Sequence, residues 1–264
     1  MIGGDGIGPA SPQRDGVTRK GPEVGADAAA AWRGYKPRSF ELLALSEGDH
    51  VLDVGCGTGE DARVLAETTR GVSVVGVDAE EKVREAQRLT LGIPRPVEFR
   101  VGDAHHLEFE DGIFDACHAD KVFHHLDEPR KALAEMVRVA RPGGRVVVSD
   151  TDYETLIVDA PDRGLTRRIL NAFCDSLGGW IGRRLPALFT DAGLARVEVV
   201  PYTAVVAEYD EEVVRLRDKA ERAREAGAVS DAEVGAWLAS IEEAAGAGRF
   251  FCALTIFTVR GWKA

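Results

Sequence analysis

Four short apolar runs constrain this chain most strongly: VLDV at 51–54, VSVVGVD at 72–78, FDACHA at 114–119 and RVVVS at 145–149. Each is continuous rather than alternating, as expected of strands covered on both faces, and the segments between them repeat apolar residues at helical spacing. Leu133, Met136, Val137 and Ala140 follow i, i+3, i+4, i+7. Their helix is expected to open with Asp127 as N-cap and Pro129 in its first turn, and to stop at the Pro142-Gly143-Gly144 turn. Strand-helix alternation of this kind specifies an α/β fold with a doubly wound, mostly parallel sheet. At 264 residues and 45% hydrophobic content, the chain is long enough for one sizeable domain of that class.

Residues 1–25 hold almost no large apolar side chains and many Gly and Pro, so they read as a disordered N-terminal tail ahead of a domain over 26–264. ADAAAAWRGY and KPRSFELLAL predict two helices leading into the first strand. Beyond the fourth apolar run, 162–193 reads as two helices, ARVEVVPYTAVV as a strand and FFCALTIFTVRGWK as the last strand. Between those strands, about 209–249 predicts a helical cap packed over the sheet. Val213, Leu216, Ala220 and Ala223 mark one apolar stripe, and Val234, Trp237, Leu238 and Ile241 a second, opened by a Ser230-x-x-Glu233 capping box.

A formal net charge of −11 argues against a protein that grips nucleic acid through its overall field. Cys56, Cys117, Cys174 and Cys252 form no CxxC pair and have no histidines at ligand spacing, so no metal site and no disulfide framework is expected. No apolar run reaches the roughly 18 residues of a membrane helix. A cytoplasmic protein is the expectation, with no membrane partner and with cap and N-terminal helices that offer faces for a homodimer.

The turn after the first strand, VGCGTGE at 54–60, carries glycines at 55, 57 and 59. Glycines at a strand-to-helix turn let a ligand approach the backbone, and the free N–H groups of the next helix favour negative charge. A nicotinamide-binding turn is the competitor, but its GxGxxG pattern wants a glycine where Glu60 stands. The second strand ends in Asp78, placed to accept from vicinal ribose hydroxyls. The third, VEFRVGDAHHL, ends in Asp103 followed by Ala104, where a carboxylate and a backbone N–H can meet an exocyclic amine and a ring nitrogen. Capping of the following helices is the plainer reading of either acid alone. Together they describe a pocket for an adenosine without a pyrophosphate.

These segments, VLDVGCGTGEDARVLA, VVGVDAEE and VGDAHHLEFEDGIFDACHADKVFHHLDEPRKALAEMVRVARPGGRVVVSD, resemble the ordered motifs of the class I S-adenosylmethionine-dependent methyltransferases over about residues 45–152. The resemblance implies a seven-stranded Rossmann-like sheet whose last strand is antiparallel, and S-adenosylmethionine as cofactor. By it, Asp53, Gly55 and Gly57 line the methionine end, Asp78 the ribose, Asp103 and Ala104 the adenine, and Ala119 and Asp120 the methionine moiety.

Methyl transfer needs alignment more than a triad, and a base only where the acceptor must lose a proton. His124 and His125, after the fourth strand, are the candidate catalytic bases, although a histidine at such a junction often only hydrogen-bonds backbone. His105 and His106 are expected to cover the cofactor. Asp152 and Tyr153 either face the acceptor or pack the next helix; Trp180 either walls its pocket or is core. Arg183 and Arg184 read first as a solvated face, and Trp32, Tyr35 and Arg38 carry no assigned role. The acidic chain, a small cap and the absence of an Asn/Asp-Pro-Pro-aromatic tetrad favour a small organic acceptor, of the kind found in secondary metabolism or quinone synthesis. The alternative is a relative that binds the cofactor for a non-methylating reaction such as cyclisation.

Overall fold

The computed structural model describes residues 27–92 and 97–264, so the expected tail at 1–25 lies outside the described residues. Its strands are β1 (His50–Val54), β2 (Ser73–Asp78), β3 (Val97–Val101), β4 (Phe114–Asp120), β5 (Ala140–Val158), β6 (Ala195–Val206) and β7 (Cys252–Trp262). They form one seven-stranded sheet in the order β3-β2-β1-β4-β5-β7-β6. β1 to β5 run parallel, and β7 inserts antiparallel to both β5 and β6. The strand order reverses between β1 and β4, which makes the carboxyl ends of those strands the place for a ligand.

The continuous apolar runs are explained by what covers each face. Leu52, Val75, Cys117, Val146 and Val148 point to one side, where α5 (Pro129–Val139) and α7 (Ile181–Asp191) contribute Leu133, Met136, Leu185 and Phe189. Val51, Val74, Ala116 and Val147 point to the other. There they meet Leu42 and Leu43 from the end of α2 (Lys36–Leu42), Leu65 of α3 (Glu60–Thr68) and Val83 of α4 (Glu80–Thr90). Each such Val or Leu contributes about 1.5–3 kcal/mol relative to exposure, which is why neither face tolerates polar alternation.

Three local expectations are corrected. Pro129 is the first residue of α5, so Glu128 rather than Asp127 occupies the N-cap, without a side-chain cap. That helix ends at Val139 because Ala140 already pairs with Phe114 as the start of β5. The third correction concerns α8 (Glu211–Val214), α9 (Leu216–Glu225) and α10 (Asp231–Gly246), whose Ser230–Glu233 capping box is formed. They pack on α6 (Arg163–Asp175) and on the projecting ends of β5 to β7, through Leu165, Ile169, Leu216, Trp237 and Leu254, rather than over the sheet face.

β5 is much longer than its apolar run. Its pairing with β4 stops at Ser149, while β7 follows it to Val158 across an irregularity between Asp152 and Ile157. Residues 150–158 therefore extend past the carboxyl edge of β4, paired with β7 alone. Among the described residues, no helix is long and apolar enough to cross a membrane.

Candidate active site

The glycine turn leans on the neighbouring strand: the amides of Gly55 and Cys56 both donate to the Val77 carbonyl, at 2.7 and 3.1 Å. Gly55 and Gly57 have φ of +69° and +55°, a region that L side chains rarely adopt. A Cβ on Gly55 would lie 2.3 Å from Val122 Cγ2, so that position excludes any side chain by contact. One on Gly57 would meet nothing within 4 Å; it would project into open space. That space is a cleft of about 480 Å³ along the carboxyl ends of β1 to β4, lined among others by Gly55, Gly57, Asp78, Asp103, Ala104 and His125.

Asp78 closes the turn. Its Oδ2 accepts from the Gly57 amide and its Oδ1 from the Ala79 amide, each at 2.7 Å, leaving a lone pair on each oxygen. Asp103 Oδ1 accepts from the His105 amide at 2.9 Å and lies 2.7 Å from His105 Nδ1. These contacts hold its carboxyl below the usual range, the backbone hydrogen bond first, then the imidazole. Oδ2 has no hydrogen-bond partner among the described residues. The loop carrying Asp103 is tied to α5 by Glu135, whose carboxylate accepts from the Leu107 amide and from Arg138, all at 2.8 Å.

Asp53, Ala119, Asp120 and His124 do not line the cleft. Asp53 is buried behind the turn, where its Oδ1 lies 2.9 Å from His118 Nδ1, and its buried Oδ2 has no partner among the described residues. His118 is fully buried, with Nε2 3.3 Å from the Ser39 hydroxyl of α2. Burial alone would lower the imidazole pKa, but the Asp53 hydrogen bond and charge outweigh it and raise it. Sequence reasoning missed this residue, although a histidine inside an apolar strand is a visible signal. Ala119 is fully buried in the core beneath the cleft. Asp120 accepts from the Tyr35 hydroxyl and pairs with Lys36, which also binds Asp61 at 2.6 Å. The segment joining α1 (Ala28–Arg33) to α2 is thus tied down beside the glycine turn.

Past β4, His125 reaches the cleft and His124 stands behind it, ring centroids 3.8 Å apart. His124 is buried, with Nδ1 2.7 Å from Asp150 Oδ1 and its amide donating to Asp150 Oδ2. Burial, then the neighbouring His124, lower the pKa of His125, so its neutral, proton-accepting form dominates at pH 7. Tyr153 packs edge-on against His124 and Phe173, at 5.5 and 5.1 Å. Asp152 is fully buried and takes a two-pronged ion pair from Arg183, which also binds Glu154. Arg183 is therefore no free solvated face. Trp180 is partly exposed between Arg183 and Arg184, and not core.

A family model described as a methyltransferase domain matches residues 52–148. The chain is similar to an uncharacterized 37.1 kDa protein in transposon TN4556 of Streptomyces fradiae: 38% identity over 235 residues, 87% of this chain and 67% of that one. It is 38% identical over 111 residues to the O-methyltransferase resE of Aspergillus sclerotiorum, 41% of this chain and 42% of that protein. The chain thus spans between about two fifths and two thirds of the length of these relatives. Among solved structures, the YcgJ protein of Bacillus subtilis superposes with a TM-score of 0.63 at 21% identity, over 88% of this chain and 98% of the other, which is a likeness of fold.

Proposed function

The chain belongs to the class I S-adenosylmethionine-dependent methyltransferases, and from that premise we propose that it methylates a small organic acceptor in the cytoplasm. The observation that carries this reading is the cleft at the glycine turn, where Gly57 leaves room against the backbone and Asp78 offers carboxylate lone pairs one strand away. The residues fit the family's cofactor. Asp78 suits ribose hydroxyls, and Asp103 Oδ2 with the Ala104 amide suits an adenine edge.

S-adenosylmethionine, when bound, supplies a methyl group already activated on a sulfonium. What remains for the protein is to bind, align and dry the site, and alignment alone can supply roughly 7–11 kcal/mol. The glycine turn and Asp78 fix one side. Lys121, Val122, His125 and Leu126, from the segment after β4, line the cleft with them. His125, facing the cleft in its neutral form, accepts the acceptor's proton; His124, oriented by Asp150, backs it as a positioning residue. The acidic chain and the small helical cap favour a free small molecule over nucleic acid.

Incubation with a panel of phenols, quinols and amines and a deuterated methyl donor, read by mass spectrometry, tests the proposal. Gain of one labelled methyl in an acceptor, with S-adenosylhomocysteine formed, supports it. Conversion of an acceptor with no mass gain and the cofactor intact would replace it by the non-methylating reading.

A further inference from the structure

A second cavity lies between the projecting end of β5 and α6. It measures about 640 Å³, against about 480 Å³ for the cleft at the glycine turn, and no residue lines both. Tyr153 lines it and packs edge-on against His124, at 5.5 Å, so the two spaces are separated by that pair of rings and His125. The volume falls within the roughly 300–1,000 Å³ usual for sites that take small molecules.

The β5 side of its lining is largely apolar. Leu156 is buried, Val158 and Ala160 are half-buried, and Ile157 is 55% exposed, which is apolar surface that a ligand would remove from water. Leu170 adds a buried side chain from α6. The rest of the α6 side is polar and cationic. Arg163, Arg167 and Asn171 stand at i, i+4 and i+8, one stripe along the helix, and all three line the cavity. Neither guanidinium has an ion pair or hydrogen bond among the described residues, whereas Arg168, which does not line the cavity, is paired with Glu233 at 2.5 Å. Of the two carboxylates in the lining, Glu154 is bound by Arg183, and Asp159 has no side-chain partner among the described residues. Two free guanidiniums therefore outnumber one free carboxylate, and the lining keeps a surplus of positive charge.

We propose that this cavity is a second ligand site, separate from the cofactor cleft, for a molecule with an apolar body and one carboxylate. The body lies against Leu156, Ile157 and Leu170. The carboxylate accepts paired N–H donors from Arg163 and Arg167, whose planar forks match its two oxygens. A single negative charge balances the surplus of the lining; a neutral head leaves it unmatched and a cationic head adds to it. The site binds a molecule without making or breaking a bond, so it stands whether or not the cleft transfers a methyl group.

The test uses the full chain in neutral buffer, with and without S-adenosylhomocysteine. Octanoate is titrated by calorimetry beside octan-1-ol and octylammonium, which keep the hydrocarbon chain and change the head. Wild type is expected to bind one octanoate at least about tenfold more tightly than either comparator, with the same affinity when S-adenosylhomocysteine is present. The double variant Arg163→Gln/Arg167→Gln should lose at least about tenfold in affinity for octanoate and none for octan-1-ol. Arg168→Gln, on the same helix but outside the cavity, should bind octanoate as wild type does. Absence of octanoate binding by wild type, equal binding of the three probes, or undiminished octanoate binding by the double variant would overturn the proposal. Displacement of octanoate by S-adenosylhomocysteine would overturn it too, because the probe would then occupy the cofactor cleft.

Discussion

The Tyr35 hydroxyl donates to the Asp120 carboxylate, its oxygen 2.6 and 2.9 Å from the two carboxylate oxygens, across 85 positions of sequence. This contact fastens the N-terminal helical segment to the end of β4. Burial first, and then the Asp120 charge, hold the phenol well above its usual pKa, so it stays a donor at every working pH. Tyr35→Phe removes a charge-assisted hydrogen bond and should destabilise the protein by about 2 kcal/mol in urea unfolding. A loss below about 0.5 kcal/mol would show that the fastening is not formed in solution.

His125 should titrate below the ordinary imidazole value of 6.5, because burial and the adjacent His124 both disfavour its protonated form. A base is active when deprotonated, so activity persists as pH falls through that value and declines only below it. NMR titration of the His125 ring gives the pKa directly. His125→Gln should lower kcat by roughly a hundredfold or more with little change in cofactor affinity, if the acceptor must lose a proton.

Glu135 is held down to about 2, chiefly by its hydrogen bonds with Arg138 and then by the Leu107 amide, against an ordinary 4.5. A carboxyl lowered on folding contributes stability that is complete above the ordinary value and is lost as pH falls toward the folded one. Wild type should therefore exceed Glu135→Gln in stability at pH 7, with the difference fading between about 4.5 and 2. Urea unfolding at stepped pH measures it. A difference constant across that range would contradict the pairing.

Arg183→Ala leaves the fully buried Asp152 carboxylate without its cation. Removing one partner of such a pair should cost about 3 kcal/mol, well above the effect of an exposed arginine. Thermal unfolding of Arg183→Ala beside Arg184→Ala separates the two cases: the first should fall far below the second.

How much of this was legible in the sequence follows from where each constraint is written. Gly55, Gly57 and Asp78 were readable because a backbone need restricts the residue type locally: a positive φ and an adjacent clash admit only glycine, and an acid closes the turn. The double covering of the sheet was readable because it leaves unbroken apolar runs in β1, β2, β4 and β5. The projection of β5 past Ser149 was not, since its pairing with β7 joins segments about a hundred positions apart. Asp120 was placed at the correct strand end, but its partners Tyr35 and Lys36 come from a distant helix. The Asp127 expectation failed by one residue because Pro129 takes the first helical position, which makes its immediate predecessor the N-cap.

The central claim is that the space beside Gly57 receives the cofactor, and calorimetry with S-adenosylhomocysteine on wild type and Gly57→Val tests it most directly. The account predicts one saturable site in wild type and at least about tenfold weaker binding in Gly57→Val, where the new side chain enters the open cleft. Absence of binding by wild type, or undiminished binding by a folded Gly57→Val protein, would contradict it.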